Sequence, residues 1–235
     1  MKLINLQKPQ QNVLNAVKDE RFRVVFNEKP QEIELLLYGD IGNELTRTDA
    51  ATVVKSLAAA GDKPLTLRIN SPGGLAFDGL AMYNAIASYR GPTTAIIESL
   101  AASSASLIAI AADTVKAYAN ATYAIHEGLT FAFGHAADLR DALSWLETFN
   151  AAAAETYAEK TGISIADLRA AMLGENGDGT QYTAEQAKSA GFIDEVLPIG
   201  NGKKKPAQAS AAAAFDFQGM LNYRQAKAAL TDRRK

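Results

Sequence analysis

Apolar residues run along this chain in two alternating rhythms. Nearly continuous runs at 21–26, 33–38, 65–70 and 93–97 read as strands, the second of them as a strand buried on both faces. Between the runs, apolar residues recur at helical spacing. Val53, Val54, Leu57 and Ala58 follow a cap at Thr48 or Asp49 and stop at Gly61, and Leu80, Ala81, Tyr83 and Ile86 mark a helix over 78–89. Gly39-Asp40-Ile41-Gly42 and Ser71-Pro72-Gly73-Gly74 are read as the turns that end their strands. The small-residue run 98–112 predicts a tightly packed helix opening directly from the strand at 93–97. Two short strands follow at 115–119 and 122–126. A long helix over 136–160 carries the apolar stripe Leu139, Leu143, Leu146, Phe149, Ala153 and Tyr157 and ends at Thr161-Gly162. A helix over 164–172, a glycine-rich loop over 174–180, a helix capped by Thr183 and closed by Gly191, and a strand over 192–197 complete the pattern.

Strand and helix in regular alternation predict an α/β fold of parallel βαβ units. Residues 1–20 lack apolar periodicity and are expected to form an arm, residues 21–198 one domain, and residues 199–235 a linker and basic tail. No internal repeat is visible. A formal charge of −2, from 24 Lys+Arg against 26 Asp+Glu, excludes a nucleic-acid binder that works by overall basicity. The absence of cysteine excludes disulfides, thiolate metal sites and thiol nucleophiles, and no metal or cofactor is expected. The first residues are too polar for a signal-peptide core and no run approaches the roughly 18 apolar residues of a membrane span, so a cytoplasmic location is expected.

Three of the serines in the small-residue run, Ser103, Ser104 and Ser106, stand close together, where a backbone or substrate can approach closely. Ser103 is the candidate nucleophile; the alternative is that these serines only cap and pack a helix. Successive βα turns of a parallel sheet project from one sheet edge, so Gly73 and Gly74 belong beside Ser103 and Ser104, as an oxyanion hole beside a nucleophile. A serine needs a base, and the chain has two histidines. His126, at a strand end, is placed more rigidly than His135, which lies in a glycine-containing loop. The third group must be a carboxylate; Asp178 or its neighbour Glu175, both in the glycine-rich loop, can supply it or can simply be turn residues.

Several motifs in order, Ile69-Asn70-Ser71-Pro72-Gly73-Gly74, Ala101-Ala102-Ser103 placed 29 residues after Gly74, Ile125-His126, the helix end Tyr157 to Gly162, and Thr183-Ala184-Glu185-Gln186-Ala187 through Gly191-Phe192-Ile193-Asp194, resemble the Clp protease proteolytic subunit over about residues 33–198. The resemblance implies a crotonase-like α/β fold with a protruding handle helix at 136–160. It also implies a serine endopeptidase acting on peptide and protein substrates, and homo-oligomeric stacked rings that enclose the active sites. It assigns Ser103 as nucleophile, His126 as base, and Gly74 with the Ser104 N–H as oxyanion hole, with Gly73 against the substrate. The family's aspartate falls at Gly179, which makes Asp178, one position away, its candidate here; the family's proline two residues after the histidine is replaced by Glu127-Gly128. The sequence after Ser103 and the extra tail are similar to phage head maturation (prohead) proteases, with capsid or scaffold proteins as substrates. The alternative is a housekeeping subunit partnered by an AAA+ ATPase ring. From other classes, a crotonase-fold acyl-CoA enzyme or an inactive ring-former would also share the fold.

Overall fold

The computed structural model describes residues 26–29, 32–42 and 48–200. The expected arm at 1–20 and most of the tail at 199–235 lie outside them, as does all of the first predicted strand but Phe26.

The elements run β1 Phe26–Lys29, β2 Glu32–Ile41, α1 Ala50–Ala60, β3 Leu65–Gly74, α2 Ala76–Ala87, β4 Thr93–Ala102, α3 Ser104–Ile110, β5 Thr114–Tyr118, β6 Thr122–Ile125, α4 Ala136–Thr161, α5 Ile165–Leu173, β7 Thr180–Thr183, α6 Ala184–Ser189 and β8 Glu195–Leu197. They form an α/β fold on one sheet of order β1-β2-β3-β4-β5-β8, with β2 through β5 and β8 parallel. β6 continues the sheet beside the far half of β4 and pairs antiparallel with β7. β4 is thus flanked by β3 on one side and by β5 and then β6 on the other, which puts its carboxyl end in the interior of the sheet rather than at an edge.

Helix ends form where the side chains dictate. Asp49 caps α1 by accepting from the Thr52 N–H at 2.9 Å, Thr183 and Gln186 close a reciprocal capping box on α6, and Gly162 ends α4 in the left-handed conformation that costs glycine little.

Four expectations need correction. Ser71-Pro72-Gly73-Gly74 is not a turn: β3 runs through it, because Gly73 and Gly74 pair with Asp40 and Ile41, and Gly39–Ile41 likewise stays in β2. Residues 98–102 are strand rather than helix, held by pairing of Leu100, Ala101 and Ala102 with β6, so the helix begins only at Ser104. Residues 180–183 form a strand where a loop was expected at 180, since their antiparallel partner lies more than fifty residues away in sequence. Lastly, β2 is not buried on both faces. Ile33, Leu35 and Leu37 are buried while Glu34, Leu36 and Tyr38 are half-buried, and the same alternation holds in β3 and β4. The less covered face carries a cluster in which Arg68 pairs with Glu34 and, at 2.6 Å, with Glu98, and the Tyr38 hydroxyl donates to Glu98. Burial and the nearby charge of Glu34 push the Glu98 carboxyl up from its ordinary value.

The sealed face holds the core: Leu35, Leu37, Leu67, Ile69, Ile97, Val115 and Tyr123 with Met82, Ile86, Ile108 and Phe192. Among the described residues no helix is long and apolar enough to cross a membrane.

Candidate active site

Ser103 stands between β4 and α3 with φ 55° and ψ −131°, the one non-glycine residue with positive φ among the described residues. Such a backbone costs an L residue of order 1–3 kcal/mol and persists only where its surroundings hold it. They do: the Ser103 N–H donates to the Ala124 carbonyl at 3.0 Å, and the Ser103 carbonyl accepts from the Ser106 N–H at 2.9 Å and from Ser106 Oγ at 2.5 Å. A sharp strand-to-helix turn of this kind lifts a side chain off the sheet edge into reach of a substrate.

Gly73 lies against this turn. A Cβ there would sit 2.5 Å from Ser103 Cβ and 3.0 Å from the Ser104 nitrogen, and the φ of +95° excludes most side chains in any case. The Gly73 N–H donates to Ser71 Oγ at 3.1 Å, and Ser71 in turn donates to the Gly39 carbonyl at 2.6 Å, which fixes the glycine pair. The next residue, Gly74, packs on the Ile41 backbone. The structure therefore brings Gly73 against Ser103 and Ser104, with Gly74 the next residue along β3. Ser104 Oγ is the one buried side-chain polar atom among the described residues without a hydrogen-bond partner, so what Ser104 offers the site is its N–H, in the first turn of α3.

His126 follows the last residue of β6, and β6 pairs with the end of β4 in the register Ala102 to Ala124. Its Nδ1 lies 2.5 Å from the Glu127 carbonyl oxygen. A carbonyl only accepts, so in the neutral ring Nδ1 carries the proton and Nε2 the lone pair, which is the tautomer a general base requires. The segment is pinned on three sides: the Glu127 N–H donates to the Met172 carbonyl at 3.0 Å, the Gly128 N–H to buried Asn150 Oδ1 at 2.7 Å, and the Glu127 carboxylate pairs with Arg169 at 3.1 Å. Arg169 also holds Glu147 of α4 at 3.0 Å. No hydrogen bond joins Ser103 to His126 among the described residues; catalytic contacts often tighten only around a substrate.

Gly179 packs on the histidine, where a Cβ would fall 2.5 Å from His126 Cβ and closer still to the Ile125 carbonyl oxygen. Asp178 is the next residue back, exposed, and makes no side-chain hydrogen bond among the described residues; Glu175 is exposed in the same loop. His135 is accounted for structurally, as the N-cap of α4 whose N–H donates to Asp138 Oδ2 at 2.7 Å.

Sequence reasoning missed the Glu127 carbonyl, which has no residue-type signature, and the hydroxyl of Tyr157, a residue read as part of an apolar stripe and of a helix-end motif. Ser106 was visible as a serine three positions after Ser103, the spacing at which a hydroxyl reaches back to a backbone carbonyl. Also missed was the aromatic group in which Phe77 meets Trp145 at 5.8 Å and Phe149 at 6.1 Å, both edge to face.

A family model described as Clp protease matches residues 18–199. Among solved structures, a mutant of ClpP1 from Listeria monocytogenes superposes with a TM-score of 0.59 at 21% sequence identity, covering 82% of this chain and 99% of that one.

Proposed function

This chain belongs to the Clp protease family and is a serine-type hydrolase of it, and from that premise we propose that Ser103 is its nucleophile, His126 its base and Asp178 its carboxylate. Ser103 Oγ attacks the substrate carbonyl and passes its proton to His126 Nε2, which then gives it to the leaving amine; water repeats the cycle on the acyl-enzyme. The Ser104 and Gly74 N–H groups receive the oxyanion, and Gly73 leaves room for the substrate backbone. The strained turn at Ser103, backed by a glycine whose Cβ would collide with it, is the observation that carries this reading. Nothing in tight packing alone asks a serine to adopt φ 55°.

For the physiological role, the readings are a capsid-processing enzyme and a proteolytic subunit working with an ATPase ring. The fold likeness to a ClpP1 supports the second. Self-association into rings, stacked through α4, belongs to the same proposal, and its support is the uncovered apolar surface of that helix.

A fluorophosphonate probe followed by peptide mapping tests the nucleophile. We expect the label on Ser103, its loss in Ser103→Ala together with peptide cleavage, and its retention in Ser104→Ala, which removes only the unpartnered hydroxyl. Labelling that survives Ser103→Ala overturns the assignment.

A further inference from the structure

The strained turn is fastened from beneath by a relay of hydroxyls. Ser106 is fully buried, and its Oγ lies 2.5 Å from the Ser103 carbonyl oxygen and 2.7 Å from the Tyr157 hydroxyl. The carbonyl can only accept, so the single Ser106 proton goes to it, and Ser106 Oγ must accept from Tyr157. The direction of the relay is therefore fixed: Tyr157 to Ser106 to Ser103. A second tyrosine holds the same residue, since the Tyr123 hydroxyl donates to the Ser106 carbonyl at 2.9 Å. Both rings pack on Phe192, Tyr157 edge to face at 5.8 Å and Tyr123 at 4.9 Å. Burial pushes both phenols above their ordinary value, so each stays a protonated donor at any working pH.

Packing alone does not call for this arrangement. Alanine and phenylalanine would nearly fill the space of Ser106 and Tyr157 without burying polar atoms that must then be matched. What the relay adds is a fixed position for the one carbonyl whose residue is strained. The direction of Ser103 Oγ depends on that peptide, and misplacement of a reacting atom by about 1 Å costs roughly 10²-fold in rate. Tyr157 stands on α4, whose first half is uncovered while Asn150, Ala153, Ala154 and Tyr157 are buried, so the relay ties that helix to the nucleophile turn.

We propose that Tyr157 is a positioning residue, which through Ser106 holds the Ser103 carbonyl and so aims the nucleophile. This rests on the reading of Ser103 as nucleophile.

The test uses the full chain as wild type, Tyr157→Phe, Ser106→Ala and the double variant, measuring fluorophosphonate labelling rate at Ser103, kcat and KM on a peptide, thermal melting and light scattering. Tyr157→Phe keeps the ring and its stacking, and is expected to label roughly tenfold more slowly, with kcat falling in step and KM unchanged. Ser106→Ala is expected to lose rate equally and also to melt lower, because it leaves the Tyr157 hydroxyl without an acceptor. The double variant removes that orphan; its melting should recover towards wild type while its rate stays as low as either single variant, since links in series do not add. An unchanged rate in Tyr157→Phe overturns the proposal, and so does a rate that follows melting temperature through the series. Failure of wild type to label at Ser103 overturns the nucleophile assignment instead, and this inference with it.

Discussion

At the scale of single residues, the site turns on which atom takes the proton of His126 Nδ1. Here it is the Glu127 carbonyl oxygen, a neutral acceptor, while Asp178 stands exposed one residue before the glycine that packs on the His126 Cα and Cβ. In the proposed mechanism the imidazole becomes a cation as Ser103 gives up its proton, and bonds with an ionised partner are roughly twice as strong as neutral ones, so a carboxylate stabilises that state better. Gly177 and Gly179, with φ of 76° and 80°, flank Asp178 and let its peptide move without strain. In the working complex Asp178 is accordingly proposed to displace the Glu127 carbonyl from Nδ1. Asp178→Asn should then fold normally and lose turnover by roughly 10²- to 10⁴-fold, with Glu175→Gln little changed as a control. Steady-state kinetics on one peptide decide it: near-normal turnover in Asp178→Asn leaves the carbonyl as sole partner and Ser103 with His126 as a dyad. Sequence alone could nominate Ser103, His126 and the glycine pair because residue type and order carry their chemistry. It could not reveal a main-chain acceptor, which any residue at position 127 would offer.

At the scale of elements, what was legible depended on whether the signal is local. The Asp49 cap, the Gly162 stop and the helical spacing of 136–160 each act within one or two turns of helix, and the structure has α1 and α4 within a residue of the expected ends. The misread segments are those decided by distant partners: Ser71–Gly74 looks like a turn until Asp40 and Ile41 pair with it, and Leu100–Ala102 looks like helix until β6 does. The stripe on α4 divides in the same way. Ala153 and Tyr157 are core, whereas Leu139 and Leu143 are 48% and 58% exposed; outside the stripe, Trp145 is 66% exposed, and Phe131 and Phe133 just before the helix are 85% and 89% exposed. Large exposed apolar side chains on this helix and just before it are the surface through which association is proposed. A charge in its middle should abolish association without touching the core, so Leu143→Asp is expected to melt within about 1 kcal/mol of wild-type stability yet scatter as a much smaller particle. Wild type that scatters as a monomer at micromolar concentration rules the interface out.

At the scale of the whole molecule, the place of the site decides which proteins can be cut. Ser103 lies at the carboxyl end of β4, the central strand, and His126 opens the chain segment that leads through the exposed residues Leu129, Phe131 and Phe133 into α4. Any assembly that covers those apolar side chains brings its partner within a few residues of His126 along the chain. In the stacked rings proposed above, the site would face an enclosed space, which an extended peptide can reach and a folded domain cannot. An enzyme that trims an assembled capsid needs the opposite, a site open to segments between folded domains. One substrate pair separates the two: a short peptide that the enzyme cleaves when free, and the same peptide as a flexible linker between two stable domains. For an enclosed site, cutting the linker waits for a domain to unfold, a state populated at about 10⁻³ or less, so the linker should be cut about 10³-fold more slowly than the free peptide or slower still. Supplying the linked substrate already denatured, with one domain too unstable to refold, should restore most of the free-peptide rate, which shows that enclosure and not linker sequence is the barrier. Equal rates for the free peptide and the intact linked substrate would mean an open site, and would return the balance to capsid processing.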